Sequence, residues 1–299
     1  MKKIALMLFA AASMSLMDCT GNADNNATEG DSTAQTEAGA EDDAWNPFPW
    51  DFPQDFTLNA EMGQTVLAPY TFYKGAQEEK KDLTKETLIF YNNTLGQVGD
   101  KISEVGGSQV PNPLIIPIAK GQEAKAGDIV LTWWQGGSGL QRAIIVDASN
   151  PKQPKANFLD LSWDRGNSPD KESMGESNAN RELKENSFQV IKDGEWVPGA
   201  QIAAMKDGKW EAKKLINEKD GKLIVLAFAS KVEVVDKSNC KLIPFNEDIK
   251  VGDSVYALFV SNYKDGYKVV AVDKAKGLIT CEKDGKQKVY PVTEVTKVL

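Results

Sequence analysis

Gly199-Ala200-Gln201-Ile202-Ala203-Ala204, followed closely by Asp207-Gly208-Lys209-Trp210, decides how the rest of this chain is read. A glycine ahead of an aliphatic run suits a tight turn into a strand. Asp-Gly between two apolar alternating runs is the strongest short hairpin signal. The pattern recurs as Gly252-Asp253-Ser254-Val255-Tyr256-Ala257 with Asp265-Gly266-Tyr267, as Gly127-Asp128-Ile129-Val130-Leu131-Thr132, and as Gly63-Gln64-Thr65-Val66-Leu67-Ala68. Val66, Val130, Ile202 and Val255 occupy one position, and Ala68, Thr132, Ala204 and Ala257 lie two residues on, on the same strand face. A β-branched residue followed by a small one on that face suits the inside of a narrow barrel.

Working outward, residues 210–216 and 267–272 read as second strands, 223–228 and 278–282 as third, and 232–235 and 288–292 as fourth. In the Gly127 copy the matching runs are 141–146, 156–161 and 188–191, the last two separated by a polar insertion. Gln141 stands there where the other copies place Trp210 and Tyr267. In the Gly63 copy, residues 77–91 read as helical before 114–118 resumes strand composition. Glycine, polar residue, aliphatic run, then an aromatic after a turn resembles the Tudor-like small barrels of the SH3-like class. The resemblance covers the chain well from Lys125 onward. It implies a mainly β fold of tandem SH3-like barrels with a short helical insertion in the N-terminal unit, stacked in a row with grooves for extended ligands between them.

The first residues carry an export signature: Lys2 and Lys3, then an apolar run over 4–17. Cys19 ends the run, preceded by Leu16, Met17 and Asp18 and followed by Thr20 and Gly21. This resembles a bacterial lipoprotein signal, which implies acylation of Cys19 and a membrane partner through that lipid; Asp18 stands where the pattern wants a small residue. The alternative is ordinary secretion. Residues 20–44 hold seven acidic residues, no basic one and no aromatic, so they read as a disordered tether. An aromatic and proline knot follows, from Trp45 to Phe56, read either as a docking strip or as a clamp on the next domain. The chain therefore divides into a leader (1–18), the tether (19–44), an N-terminal β-rich unit (45–120) and barrels at 121–191, 192–246 and 247–299, the first with its insertion at 162–186.

With 35 basic and 43 acidic residues overall, the imbalance lies mostly in the tether. Residues 45–299 carry 33 basic and 35 acidic groups and no basic block, so nucleic acid is not an expected partner. The chain has no histidine, which removes Ser-His-Asp and Cys-His catalysis and histidine-ligated metals. With three cysteines, a zinc site of four soft ligands is out of reach too, and no cofactor is expected. Cys240 and Cys281 read either as a disulfide closing a 42-residue loop, an effect on the order of 4 kcal/mol, or as two free thiols.

Trp133 and Trp134 end a strand beside the loop at 135–139 and are candidates for an aromatic platform able to stack on a sugar or a cation. Strand alternation offers the other reading, in which one ring points inward as core. The Tudor-like resemblance implies that Tyr263 and Tyr267 would be the cage residues of the last barrel. Asp160, Asp164 and Asp170 miss the EF-hand calcium spacing. The sequence thus points to an exported, lipid-anchored, non-enzymatic binding or scaffold protein of the bacterial envelope, with a glycan, peptidoglycan or an extended peptide as the expected ligand class. Two alternatives stay open: a carboxylate-dependent glycan or peptidoglycan hydrolase using Asp160 and Asp164, and a structural envelope spacer.

Overall fold

The computed structural model describes residues 45–135, 137–160 and 179–299. The leader, Cys19, the tether, Asp164, Asp170 and most of the insertion lie outside the described residues. The chain is mainly β, and its strands fall into four sets with one order. The first set is β1 (Thr65–Ala68), β2 (Tyr91–Thr94), β3 (Ile102–Val105), β4 (Ser108–Pro111) and β5 (Ile116–Pro117), with the helix α1 (Tyr70–Ala76) inserted after β1. The second is β6 (Ile129–Trp133), β7 (Leu140–Asp147), β8 (Lys155–Phe158), β9 (Arg181–Glu182) and β10 (Gln189–Val190). The third is β11 (Gln201–Lys206), β12 (Lys209–Lys219), β13 (Lys222–Leu226), β14 (Val232–Asp236) and β15 (Cys240–Ile243). The fourth is β16 (Ser254–Phe259), β17 (Asn262–Asp273), β18 (Leu278–Lys283), β19 (Lys286–Pro291) and β20 (Val295–Thr296).

In every set the first strand pairs antiparallel with both the second and the fifth, which closes an SH3-like barrel. The second strands of the last three sets carry a register shift where they meet the third, between Ile145 and Asp147, Leu215 and Asn217, and Val269 and Ala271. Such bulges bend a long strand so that it serves both halves of a small barrel. The four entry glycines share one backbone conformation, φ +83°, +92°, +88° and +94° at Gly63, Gly127, Gly199 and Gly252. That left-handed turn is why glycine recurs there. Val66, Val130, Ile202, Val255 and their partners two residues on are all buried.

Three expectations are corrected. Asp207-Gly208 is a hairpin turn closed by the Lys206–Lys209 pair, but Asp265-Gly266 lies inside β17. There the pairing slips between Val255 and Ala257, so the left-handed Gly266 (φ +78°) serves a bulge, and the hairpin turns at Val260-Ser261 instead. Residues 188–191 supply a fifth strand, β10, which pairs with β6. The helix occupies Tyr70–Ala76, ahead of the charged stretch read as helical, because Leu83, Leu88 and Phe90 in that stretch are pulled into the core one by one. Of the two readings of Cys240 and Cys281, the structure has the free thiols. Cys281 is sealed in the core of the fourth barrel, whereas Cys240 is half-buried against that of the third. Burial pushes the two thiols up, to about 11 for Cys240 and about 12 for Cys281.

The barrels also do not form a row. One apolar cluster takes in the first barrel, Ile129, Leu131, Leu140 and Ile144 of the second, and Ile216, Ile224, Leu226 and Val232 of the third. The outward faces of these strands are therefore core as well. The fourth barrel keeps a core of its own, around Val255, Ile279, Cys281 and Tyr290. It joins the third through a seam of Ala203, Ile243 and Tyr263 and a single backbone pairing, Glu211 with Asn262. The aromatic and proline knot clamps this assembly: Trp45 Nε1 donates to Lys81 O (2.9 Å) and Trp50 Nε1 to Val232 O (3.0 Å). Among the described residues, no helix is long and apolar enough to cross a membrane.

Candidate functional site

Each of the four aromatic candidates has a definite place. Trp133 points to the first barrel, where its Nε1 donates to Phe90 O at 3.0 Å and its ring lies 6.3 Å from that of Tyr91. Phe90 N donates in turn to Ser138 O at 2.8 Å. The glycine loop is thus an inter-barrel clasp. A Cβ on Gly139 would stand 1.8 Å from Phe90 O, so only glycine lets the two backbones approach. Trp134 turns the other way, as alternation requires, onto Phe158 (5.1 Å) with the Arg181 guanidinium 5.4 Å above its ring. The pair is therefore split between two surfaces and forms no shared platform.

Tyr263 and Tyr267 form no cage either. Tyr263 is buried in the seam between the third and fourth barrels, and burial raises its phenol above the ordinary range. Tyr267 meets Tyr290 edge to face at 5.8 Å, and the cation position over its ring is filled by Lys283 Nζ at 5.0 Å. The same ammonium donates to Asp265 O at 2.7 Å, which ties it down.

Asp160 is the centre of a buried charge network. Arg142 reaches it through Nε (3.0 Å to each oxygen) and through its second guanidinium nitrogen (2.6 Å), and Lys214 Nζ does so at 2.6 Å. The other Arg142 nitrogen donates to Gln201 Oε1 at 2.7 Å, and Lys214 also donates to Leu140 O at 2.6 Å. Burial alone would raise the Asp160 carboxyl, but the charges of Arg142 and Lys214 and their hydrogen bonds reverse this and hold it far below the carboxylate range. For Lys214 burial dominates, Arg142 adds to it, and the ammonium is pushed down to about 8. Asp160 and Arg142 come from the second barrel, Lys214 and Gln201 from the third, so the network joins the two. A carboxylate held this way exchanges no proton near neutral pH.

Sequence reasoning missed a surface feature on the third barrel. A groove of about 420 Å³ runs between β14 and the tail of β11, lined by Trp50, Thr84, Met205, Lys206, Val234 and Val235 among others. Ala227 N donates to Lys231 O and Lys237 N to Gly221 O, both at 2.8 Å, so the odd-numbered backbone groups of β14 face β13. The even-numbered ones face out. Val232 O is taken by Trp50 Nε1 and Asp236 O by Cys240 Sγ. Between them the N–H and C=O of Val234 have no partner among the described residues. The alternation of Val232-Glu233-Val234-Val235 marked a strand, but nothing local shows which strand is left at an edge. Among the described residues, no cluster of three or more acidic or cysteine side chains could hold a metal ion.

No family model matches this chain, and no curated protein does. Among solved structures it is similar to the four MBT repeats of Drosophila melanogaster Sfmbt in complex with the peptide RHR(me)KVLR. The likeness has 10% sequence identity over 80% of this chain and 88% of that one, with a TM-score of 0.16.

Proposed function

We propose that this chain is an exported, lipid-anchored, non-enzymatic scaffold of the bacterial envelope that binds an extended peptide by strand addition along β14. The single supporting observation is the outward, unpaired backbone of Val234 in the groove beside Met205 and Lys206. An added strand gains main-chain hydrogen bonds there and sets alternate side chains into the groove. Export and anchoring are supported by Lys2, Lys3, the apolar run and Cys19, and the acidic tether would hold the folded part away from the lipid. The engagement of Asp160 by Arg142 and Lys214 favours a binding role over the hydrolytic alternative.

The test is a pair of synthetic peptides, acetyl-Thr-Val-Thr-Val-Glu-Val-Thr-amide and its form N-methylated at alternate residues, titrated while the protein's tryptophan fluorescence is followed. Binding of the first and at least tenfold weaker binding of the second is the expected result. No binding of either would leave the spacer reading, and equal binding would remove strand addition. Mass spectrometry of the native N-terminus tests the anchor, since an unmodified Cys19 overturns it.

A further inference from the structure

A small pocket of about 180 Å³ opens between the aromatic and proline knot and the β3–β4 hairpin, and it shares no lining residue with the β14 groove. Phe48, Pro53 and Phe56 line it from the knot, Ile102, Pro111 and Pro113 from the hairpin. Phe48, Pro53, Phe56 and Ile102 are half-buried, so part of this apolar lining meets solvent. Both sides are fixed before any ligand arrives. Asn112, wholly buried between the two prolines, donates through Nδ2 to Gly99 O (2.9 Å) and Asp100 O (3.1 Å), and its backbone N–H donates to Lys101 O (2.9 Å). On the other side Tyr73 donates its hydroxyl to Pro47 O at 2.9 Å, and Phe52 meets the rings of Phe48 and Phe56 at 6.4 and 5.9 Å.

Three exposed polar side chains, Asn46, Gln54 and Lys101, complete the lining. The Asn46 carboxamide oxygen accepts the Phe48 N–H at 2.9 Å, which leaves its Nδ2 hydrogens as donors. Gln54 uses its Nε2 on Phe52 O at 3.3 Å, which leaves Oε1 as an acceptor. The Lys101 ammonium has no ion pair or hydrogen bond among the described residues, and none of the described acidic residues lines the pocket. A donor, an acceptor and an uncommitted cation beside an apolar lining match a ring with a C–H face, hydroxyls along its edge and one carboxylate.

We propose that this pocket binds one pyranose unit of an acidic glycan. The sugar's C–H face lies against Phe48 and Phe56, its hydroxyls meet Asn46 and Gln54, and its carboxylate rests on Lys101. The volume equals that of about six liquid waters, room for one six-membered ring with its substituents and no more.

The test uses the full chain carrying Cys19→Ser, titrated with methyl glucuronide while the Ile102 methyl and the Asn46 and Gln54 side-chain amide resonances are followed. Saturable shifts at all three residues at millimolar ligand are the expected result. Two comparison ligands separate the contributions: methyl glucoside keeps the ring and lacks the carboxylate, and cyclohexanecarboxylate keeps the carboxylate and lacks the hydroxyls. Each should bind about fivefold more weakly or worse, as should methyl glucuronide to Lys101→Met. Gln54→Ala, a change at an exposed position that leaves the fold intact, should weaken the glucuronide and leave cyclohexanecarboxylate as it was. Shifts confined to residues outside the pocket would overturn the proposal. So would equal affinity for cyclohexanecarboxylate, or an unchanged affinity for the glucuronide in Lys101→Met.

Discussion

The first and fourth barrels share a strand order and differ in what holds them together. All of the first barrel's buried apolar residues, from Val66 to Ile118, belong to a cluster that also contains side chains of the second and third barrels. The fourth barrel closes around eight buried residues of its own and touches the third through a small seam. A five-stranded barrel with strands of two to four residues buries too little by itself, so the first one borrows its core. The fourth, with β17 running twelve residues, has enough inward positions to fill its interior. One topology thus serves as a self-sufficient domain at one end of the chain and as one third of a shared core at the other.

The largest expected effect breaks the shared region at its charge network. Asp160→Asn leaves Arg142 and Lys214 buried without their anion and should cost about 3–5 kcal/mol in denaturant unfolding. Phe90→Ala should cost a similar amount, about 3–5 kcal/mol. Its signature is spatial: amide exchange should accelerate in residues 129–147 as well as in the first barrel, through the clasp to Trp133 and Ser138. Ile279→Ala, in the fourth barrel's own core, should speed exchange only over 250–299. If Phe90→Ala loosens the first barrel alone, that barrel's core is its own and not shared.

The same contrast explains what could be read from the sequence. The third and fourth barrels were legible because their signals are local: entry glycines, alternation over consecutive strands and, in the third, an Asp-Gly turn. The strand starts were legible in all four, since Val66, Val130, Ile202 and Val255 each face an interior. The clustering of barrels was not, because it rests on residues of the opposite strand face, such as Leu67, Ile129 and Leu131, whose partners are distant in sequence. Asp160 was singled out only as a candidate hydrolytic carboxylate, and its partners Arg142 and Lys214 were not legible for the same reason, their spacing of 18 and 54 residues showing nothing of their contact. The Trp pair could be assigned one inward and one outward ring, but only the fold reveals that outward meant toward another barrel.

A pH titration sharpens the picture of the shared region. Lys214 is lowered from 10.5 to about 8, so between these values the unfolded chain holds its proton and the folded chain has released it. Stability from this residue must therefore rise with pH across that window, by up to about 1.4 kcal/mol per pH unit. Comparing wild type with Lys214→Met isolates the effect from other lysines and tyrosines. A difference that stays flat from pH 8 to 10.5 would mean that the ammonium is not as desolvated as the network implies.

Glycines offer a finer comparison between a clasped hairpin and a free one. Gly139 and Gly208 both have left-handed backbones, φ +76° and +73°. Gly208→Ala meets no atom within 4 Å and should cost about 1 kcal/mol, the conformational strain alone. Gly139→Ala adds a collision with Phe90 O and should cost about 2–4 kcal/mol, measured by the same unfolding titration.

Trp133→Phe is a mild change and the most specific of these. It keeps one aromatic ring in the clasp but removes the Nε1 donor together with the second ring of the indole, leaving Phe90 O without that partner at 3.0 Å. The lost hydrogen bond contributes about 1 kcal/mol and the lost ring volume adds about another 1 kcal/mol, so the midpoint should fall modestly and the slope stay unchanged. The informative measurement is a double-mutant cycle with Gly139→Ala. Because both residues act on Phe90 O, the two costs should fall short of adding. Additive costs would mean that loop and ring hold the first barrel independently, and that its borrowed core rather than its clasp keeps it in place.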